Sequence, residues 1–142
     1  MHTPRSLLKG TLLPLLVGAF LMGCGSKDET GPKKVDVAAQ VAQLKGNSDA
    51  KANALTELAA GGPNSAAAVN DILPLLKDED HVVRRLAALA LGQIGPAAKA
   101  ALPGLNELIN DPDTSTGTTA LNAINNIDPS AAGGKKVLNI SQ

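Results

Sequence analysis

Carboxylate and imidazole side chains, which serve in metal binding and acid–base catalysis, stand together at residues 78–81, Asp-Glu-Asp-His. A divalent ion needs more converging oxygen ligands than adjacent side chains supply. A catalytic histidine needs a nucleophile and an orienting acid at defined distances. We therefore interpret Asp80 as the N-cap of the following helix and His81 as a solvated first-turn residue, and we expect no metal, cofactor or catalysis.

A second group of oxygen-bearing side chains lies at residues 111–117, DPDTSTG, and resembles the opening of a calcium-binding loop. Such a loop requires a glycine where this sequence has Thr116, and a closing glutamate where it has Asn122. The pattern fails at both positions. We interpret the segment as a turn between two helices, with Asp113 as the cap of the second.

The N-terminal segment, 1–23, has the layout of a secretory signal peptide, with a basic start, an apolar run and small residues at the exit. The uncharged span runs only from Gly10 to Ser26 and includes Gly, Ser and Pro. A membrane-spanning helix needs roughly 20 mostly apolar residues. The sequence therefore predicts cleavage rather than retention as a transmembrane anchor.

The only cysteine, Cys24, ends the run Leu21-Met22-Gly23-Cys24. This run resembles a bacterial lipobox, and the resemblance implies that Cys24 becomes a lipidated first residue; the alternative is a buried or incidental thiol. Gly25-Ser26 after the cysteine favours the outer membrane of the cell envelope by the same resemblance. Residues 24–34 are polar and contain Gly and Pro, which indicates a flexible linker.

Composition argues against several kinds of partner. The 13 basic and 13 acidic side chains balance, and loss of the segment 1–23 would leave a weakly negative chain, unlike a protein that binds nucleic acid. The only aromatic residue is Phe20, so the remainder has no side chain on which bases or sugars could stack. We expect neither nucleic acid nor a small-molecule substrate.

The strongest structural pattern is DHVVRRLAALALGQIGP at residues 80–96. Its apolar residues recur at helical spacing and predict one buried face. Asp80 predicts the N-cap, and Gly95-Pro96 predicts the end of the helix. The predicted inward residues are Val83, Leu86, Ala87, Ala90, Leu91 and Ile94.

With the preceding VNDILPLLKDED, this segment resembles a HEAT repeat of the short bacterial kind grouped with phycobilin lyases. The residues that carry the resemblance are Leu75, Leu76, Asp78, Asp80, Val83, Arg84, Ala87, Leu91, Gly92, Ile94, Gly95 and Pro96. The resemblance implies helix pairs that stack on one another, and a polar ladder between neighbouring units to which an Asp and the Arg four positions later contribute, here Asp80 and Arg84. Lys51 and Gly117 stand where the neighbouring repeats would carry this arginine, which predicts an interrupted ladder. We expect Arg84 to have a structural role and Arg85 to be available for contact with a partner.

Prolines at predicted helix ends recur at equal intervals along the chain, at Pro63, Pro96 and Pro129. A period of about 20 to 50 residues is typical of a solenoid, in which each unit buries its apolar face against its neighbours. We predict an all-α fold, a short α-solenoid of three antiparallel helix pairs over residues 35–129, followed by a mobile tail at 130–142. The predicted helices run over about 35–44, 49–60, 65–76, 81–94, 96–109 and 115–127. Ser65 is predicted to cap the third, and the loop before the second to lie one position out of register.

These features predict a non-enzymatic lipoprotein held to the membrane through Cys24, whose repeats bind an unidentified protein partner. One alternative is an enzyme or chaperone component similar to the phycobilin lyases. Another is a purely structural lipoprotein of the cell envelope.

Overall fold

The computed structural model describes residues 34–133; the predicted signal peptide, Cys24, most of the linker and residues 134–142 lie outside the described residues. The described part contains six α-helices and three 3₁₀ segments, and no strand. The α-helices are α1 (Val37–Gln43), α2 (Ser48–Gly61), α3 (Val69–Ile72), α4 (His81–Ile94), α5 (Leu102–Leu108) and α6 (Thr114–Ile127). The 3₁₀ segments are Gly62–Ala68, Leu73–Lys77 and Gly95–Ala101. Within 34–133, no helix has the length and apolar character needed to cross a membrane.

The second helix of each pair, namely α2, α4 and α6, begins in the same way and has 14 residues. Asn47, Asp80 and Asp113 are the N-caps, and their side chains accept backbone N–H groups at 2.8–2.9 Å. These bonds satisfy amides that the helix itself leaves unpaired. The three caps are equally spaced along the chain. The prediction that the first unit is out of register was therefore wrong.

The first helix of the second and third pairs is not a continuous, kinked α-helix as predicted. In the second pair, 3₁₀ segments flank α3; in the third, one precedes α5. Gly62 and Gly95 adopt positive φ angles of 51° and 74°, which side chains strongly disfavour. Prolines occupy the first turns of the 3₁₀ segments, where no amide hydrogen is required.

The core joins the three pairs through α4, which packs against both α2 and α6. Every buried hydrophobic side chain in residues 34–133 is Ala, Val, Leu or Ile, so the helices approach closely. Leu91 is fully buried, as are most of the inward residues predicted on α4, and Leu86 packs against the core while partly exposed. The predicted all-α solenoid of stacked helix pairs is confirmed.

The folded region extends past residue 129, where the sequence predicted a mobile tail. The Asp128 side chain accepts the backbone N–H of Ser130 at 3.0 Å, and the Ala131 N–H donates to the Asp128 carbonyl at 3.0 Å. Ala132 is 7% exposed and belongs to the core. Residues 130–133 are therefore an ordered turn, and the remainder of the predicted tail lies outside the described residues.

Candidate interaction surface

Arg84 joins two successive repeats through its whole guanidinium group. Its Nε donates to Asp111 Oδ2 at 2.8 Å and its Nη2 to Asp111 Oδ1 at 3.1 Å. Nη1 donates to the carbonyls of Asp78 and Glu79, at 2.7 and 3.0 Å. The Arg84 and Asp111 side chains are only 17% and 5% exposed, so this charged pair belongs to the junction between repeats rather than to the surface.

Lys51 occupies the equivalent position one repeat earlier, and its Nζ donates to Asp78 Oδ2 at 2.7 Å. The interval from Lys51 to Arg84 equals the interval from Asp78 to Asp111. The predicted interruption at Lys51 was therefore wrong, because lysine replaces arginine there without loss of the ion pair. The acid of each pair is the aspartate of the next repeat, two positions before its N-cap, and not Asp80.

Asp78 and Asp111, the acids of the two ion pairs, also form hydrogen bonds within the loops that contain them. Asp78 Oδ1 accepts the N–H of Asp80 at 3.1 Å, and Asp111 Oδ1 accepts that of Asp113 at 2.9 Å. The recurring Asp-x-Asp, at 78–80 and 111–113, is the sequence signal that identifies this arrangement. The first aspartate pairs with the cation of the previous repeat, and the second caps the helix that follows.

The pKa values of these carboxyl groups follow from their contacts. Burial alone would raise the pKa of Asp78 and of Asp111. The hydrogen bonds from Lys51 and Arg84, the backbone N–H groups and the positive charges outweigh it, so both pKa values lie below the ordinary value. The pKa of Asp113 is lowered mainly by the hydroxyl of Thr116, which donates to it at 2.7 Å.

The cluster at residues 78–81 does not converge on a common point. Asp78 faces Lys51, Asp80 caps α4, and the exposed His81 ring has its Nδ1 4.0 Å from Asp80 Oδ1. Among the residues the structure describes, no three His, Cys, Asp or Glu side chains are grouped to hold a metal ion.

The outward side of α4 carries side chains that take no part in the ion pairs between repeats. Arg85, Leu89 and Gln93 follow at four-residue spacing and so share one face of the helix. Leu89 is 39% exposed and is the only exposed large hydrophobic residue in the described part. Arg85 is half-buried and makes no hydrogen bond or ion pair within residues 34–133. This sequence-predicted contact residue is thus brought beside Leu89 and kept apart from the Arg84 pair.

Next to this face, a groove of about 420 Å³ lies between α4 and α6, here called the α4–α6 groove. Gly92 and Ala123 meet there, and a Cβ placed on Gly92 would lie 2.9 Å from both Cα and Cβ of Ala123. Amide side chains surround this contact. The groove is lined by Leu89, Gly92, Gln93, Thr119, Asn122, Ala123, Asn125 and Asn126. Sequence reasoning missed it, because the groove depends on how closely the two helices approach.

Three stacked helix pairs, whose second helices are capped in the same way and whose junctions carry a repeating ion pair, define an α-solenoid. Comparison with known protein families gives a match to HEAT repeats over residues 35–125. This match covers more than half of the chain, which therefore belongs to the HEAT-repeat family. Neither a curated protein nor a solved structure gives a significant match.

Proposed function

We propose that this protein is a non-enzymatic interaction scaffold that binds a protein partner through the outward face of α4. The observation that carries the proposal is the pairing of Arg85 with Leu89. An arginine without a partner in the described residues stands one helical turn from the only exposed large hydrophobic side chain there. Arginine beside apolar surface is a common composition of binding hot spots.

The other charged groups support this assignment because their contacts stabilise the fold itself. The cations of Lys51 and Arg84 hold the repeat junctions, and Asp80 and Asp113 cap helices. Repeat stacks present extended surfaces built from neighbouring units. The HEAT-repeat match agrees with a scaffold, and the alternative of an enzyme similar to the phycobilin lyases gains no support from the arrangement of these side chains.

We also propose that lipidation of Cys24 holds the scaffold to the bacterial cell envelope, with the outer membrane as the favoured site. Support comes from the sequence, in which a signal-like segment precedes the lipobox-like run that ends at Cys24. Two or more acyl chains give stable membrane attachment. A Cys24→Ser variant should move from the membrane fraction to the soluble fraction, and retention in the membrane fraction would contradict this part of the proposal.

The binding proposal is tested by cross-linking in intact cells, followed by purification of the tagged lipoprotein. Arg85→Ala should lose the dominant cross-linked protein while keeping the unfolding midpoint of the parent. Lys45→Ala is the matched control, because it removes an exposed cation from a loop away from this face. Equal recovery of the partner with both variants would exclude Arg85, and no recovered partner with the parent would favour a purely structural envelope role.

A further inference from the structure

Three side-chain amides of the α4–α6 groove have no hydrogen-bond partner within the described part of the chain. Asn125 is not among them, because its Nδ2 donates to the Leu121 carbonyl of its own helix at 3.1 Å. Gln93, Asn122 and Asn126 line the groove and make no hydrogen bond there. Each of these amides offers two N–H donors and a carbonyl acceptor. The groove therefore presents the groups that hydrogen-bond a peptide backbone.

The spacing of these amides suits an extended chain. Asn122 and Asn126 lie one helical turn apart on α6, which is about 6 Å along the helix axis. Backbone groups on one edge of an extended chain recur every second residue, about 6.6 Å apart. Gln93 stands one repeat interval before Asn126, so the two amides lie side by side on α4 and α6. A helical segment would satisfy its own backbone groups and would gain little from such a row of amides.

The floor of the groove lets a backbone come close to both helices. Gly92 carries no side chain there, and a Cβ at this position would lie 2.9 Å from Ala123 Cα. Leu89 stands at the edge of the groove, where it offers an apolar contact to one side chain of a bound segment. Residues 34–133 contain no aromatic side chain on which a base or a sugar ring could stack. These features favour a polypeptide as the occupant.

The charges around the groove favour an acidic segment. No charged side chain lines the groove, and α6 contains none. Arg85 lies one helical turn before Leu89 on the same face of α4 and makes no ion pair within the described part. A guanidinium can bind a carboxylate through two parallel hydrogen bonds. The helix rises about 12 Å from Arg85 to Gln93, a distance that about four residues of extended chain span.

We propose that the α4–α6 groove binds an extended segment of the protein partner, whose backbone bonds the amides of Asn122 and Asn126 and whose acidic side chain pairs with Arg85. This inference rests on the proposed function, since it names the part of the partner that meets the outward face of α4. Recognition through the backbone tolerates many sequences. Arg85 and Leu89 then select one acidic and one apolar residue of the segment.

The test uses a displayed library of random peptides, selected on the full lipidated chain in detergent micelles. The enriched peptide is synthesised, and its Kd is measured by fluorescence anisotropy. Asn122→Ala/Asn126→Ala should weaken binding about tenfold or more, because hydrogen bonds to the peptide backbone are lost. The matched control is Asn53→Ala/Asn70→Ala, which removes two exposed amides outside the groove and should leave the Kd unchanged. Circular dichroism checks that both variants are folded.

Two changes in the peptide test its conformation and its charge. N-methylation of single backbone amides should weaken binding at alternate positions only, since alternate N–H groups of an extended chain point to the same side. Replacement of the acidic residue by the corresponding amide should weaken binding to the parent protein. The same replacement should have no further effect on binding to Arg85→Ala.

Three outcomes would overturn the inference. The library could yield no peptide that Asn122→Ala/Asn126→Ala binds more weakly than the parent does. The enriched peptides could lack an acidic residue. N-methylation could abolish binding at every central position, which would indicate a helical segment.

Cross-linking in intact cells separates this inference from the proposed function. If Arg85→Ala loses the dominant partner and Asn122→Ala/Asn126→Ala keeps it, the proposed function stands and the groove is not the binding site. If both variants keep the partner, neither the proposed function nor the groove inference holds. Loss of the partner with both variants, and its retention with Asn53→Ala/Asn70→Ala, is the expected result.

Discussion

Arg84 and Asp111 form a two-point contact across a repeat junction, with Nε–Oδ2 at 2.8 Å and Nη2–Oδ1 at 3.1 Å. The planar guanidinium matches the carboxylate and still has Nη1 available for the carbonyls of Asp78 and Glu79. One side chain therefore fixes both the loop of its own repeat and that of the next. The lysine at position 51 makes the equivalent ion pair with one atom.

This difference predicts unequal costs for removing the two cations. Arg84→Met should lower the free energy of unfolding by about 3 kcal/mol, because it leaves a buried carboxylate and two carbonyls without their donor. Lys51→Met should cost about 1 kcal/mol, since its partner keeps more solvent access. Urea unfolding at neutral pH measures both. Adding Asp111→Leu to Arg84→Met should recover much of the loss, and strictly additive losses would show that the pair is not coupled.

Two fully buried hydroxyl groups provide a second comparison. Ser65 Oγ has no hydrogen-bond partner within the described residues, so it does not cap its helix as the sequence predicted. Thr116 Oγ1 lies 2.7 Å from Asp113 Oδ2 and 3.3 Å from the His81 carbonyl. Ser65→Ala should stabilise the protein by about 1 kcal/mol and Thr116→Val should destabilise it by about 1 to 2 kcal/mol. Thermal unfolding checks both, and a destabilised Ser65→Ala protein would mean that the hydroxyl has a partner after all.

The contact between Gly92 and Ala123 predicts that α4 cannot accept a side chain at residue 92. In Gly92→Ala the new Cβ would meet Ala123 backbone at 2.9 Å, so the helices must separate at a cost of about 1 to 3 kcal/mol. Gly104→Ala in α5 is the control, because its Cβ would press on Cδ1 of Leu76, the far end of a flexible side chain. It should cost less or even stabilise the helix. Similar unfolding midpoints for the two variants would rule out a tight contact at residue 92.

The lowered pKa values predict loss of stability in acid. The pKa values of Asp78 and Asp111 are lower in the folded protein than the ordinary value near 3.9. The unfolded chain therefore binds more protons in this range, and stability falls as the pH drops below about 5 and through the folded pKa values. Urea midpoints measured between about pH 2 and 6 should show this slope. Asp111→Asn should be less stable at neutral pH and should show a shallower slope, and an unchanged slope would exclude Asp111 as a contributor.

The sequence predicted the second helix of each pair better than the first. Asp80 and Asp113 stand before strongly periodic apolar residues, and both cap as expected. The first helices contain prolines and runs of alanine, and local preference did not distinguish an α-helix from the 3₁₀ segments at Gly62–Ala68 and Gly95–Ala101. Their form depends on packing against neighbouring repeats, which a local pattern does not contain.

The ladder was predicted in kind but with the wrong acid. The resemblance implied a ladder between neighbouring repeats formed by Asp80 and Arg84, whereas the Arg84 cation bonds Asp111, which is 27 residues further along, and Asp80 caps α4. The spacing between Asp78 and Asp111 was visible in the sequence. Which aspartate of each Asp-x-Asp pairs with the cation could be determined only from the geometry of the junction. One aspartate forms the ion pair, and the other caps the helix.

The separation of 27 residues within each ladder pair also bears on how the chain folds. The ion pairs of Lys51 and Arg84 each close within about one repeat of chain, and α4 packs on helices that directly precede and follow it in the stack. A loop of about one repeat costs a limited amount of chain entropy to close, since that cost rises only slowly with loop length. Each repeat can therefore consolidate on its predecessor while later residues are still being delivered, so the order of synthesis is also a workable order of assembly.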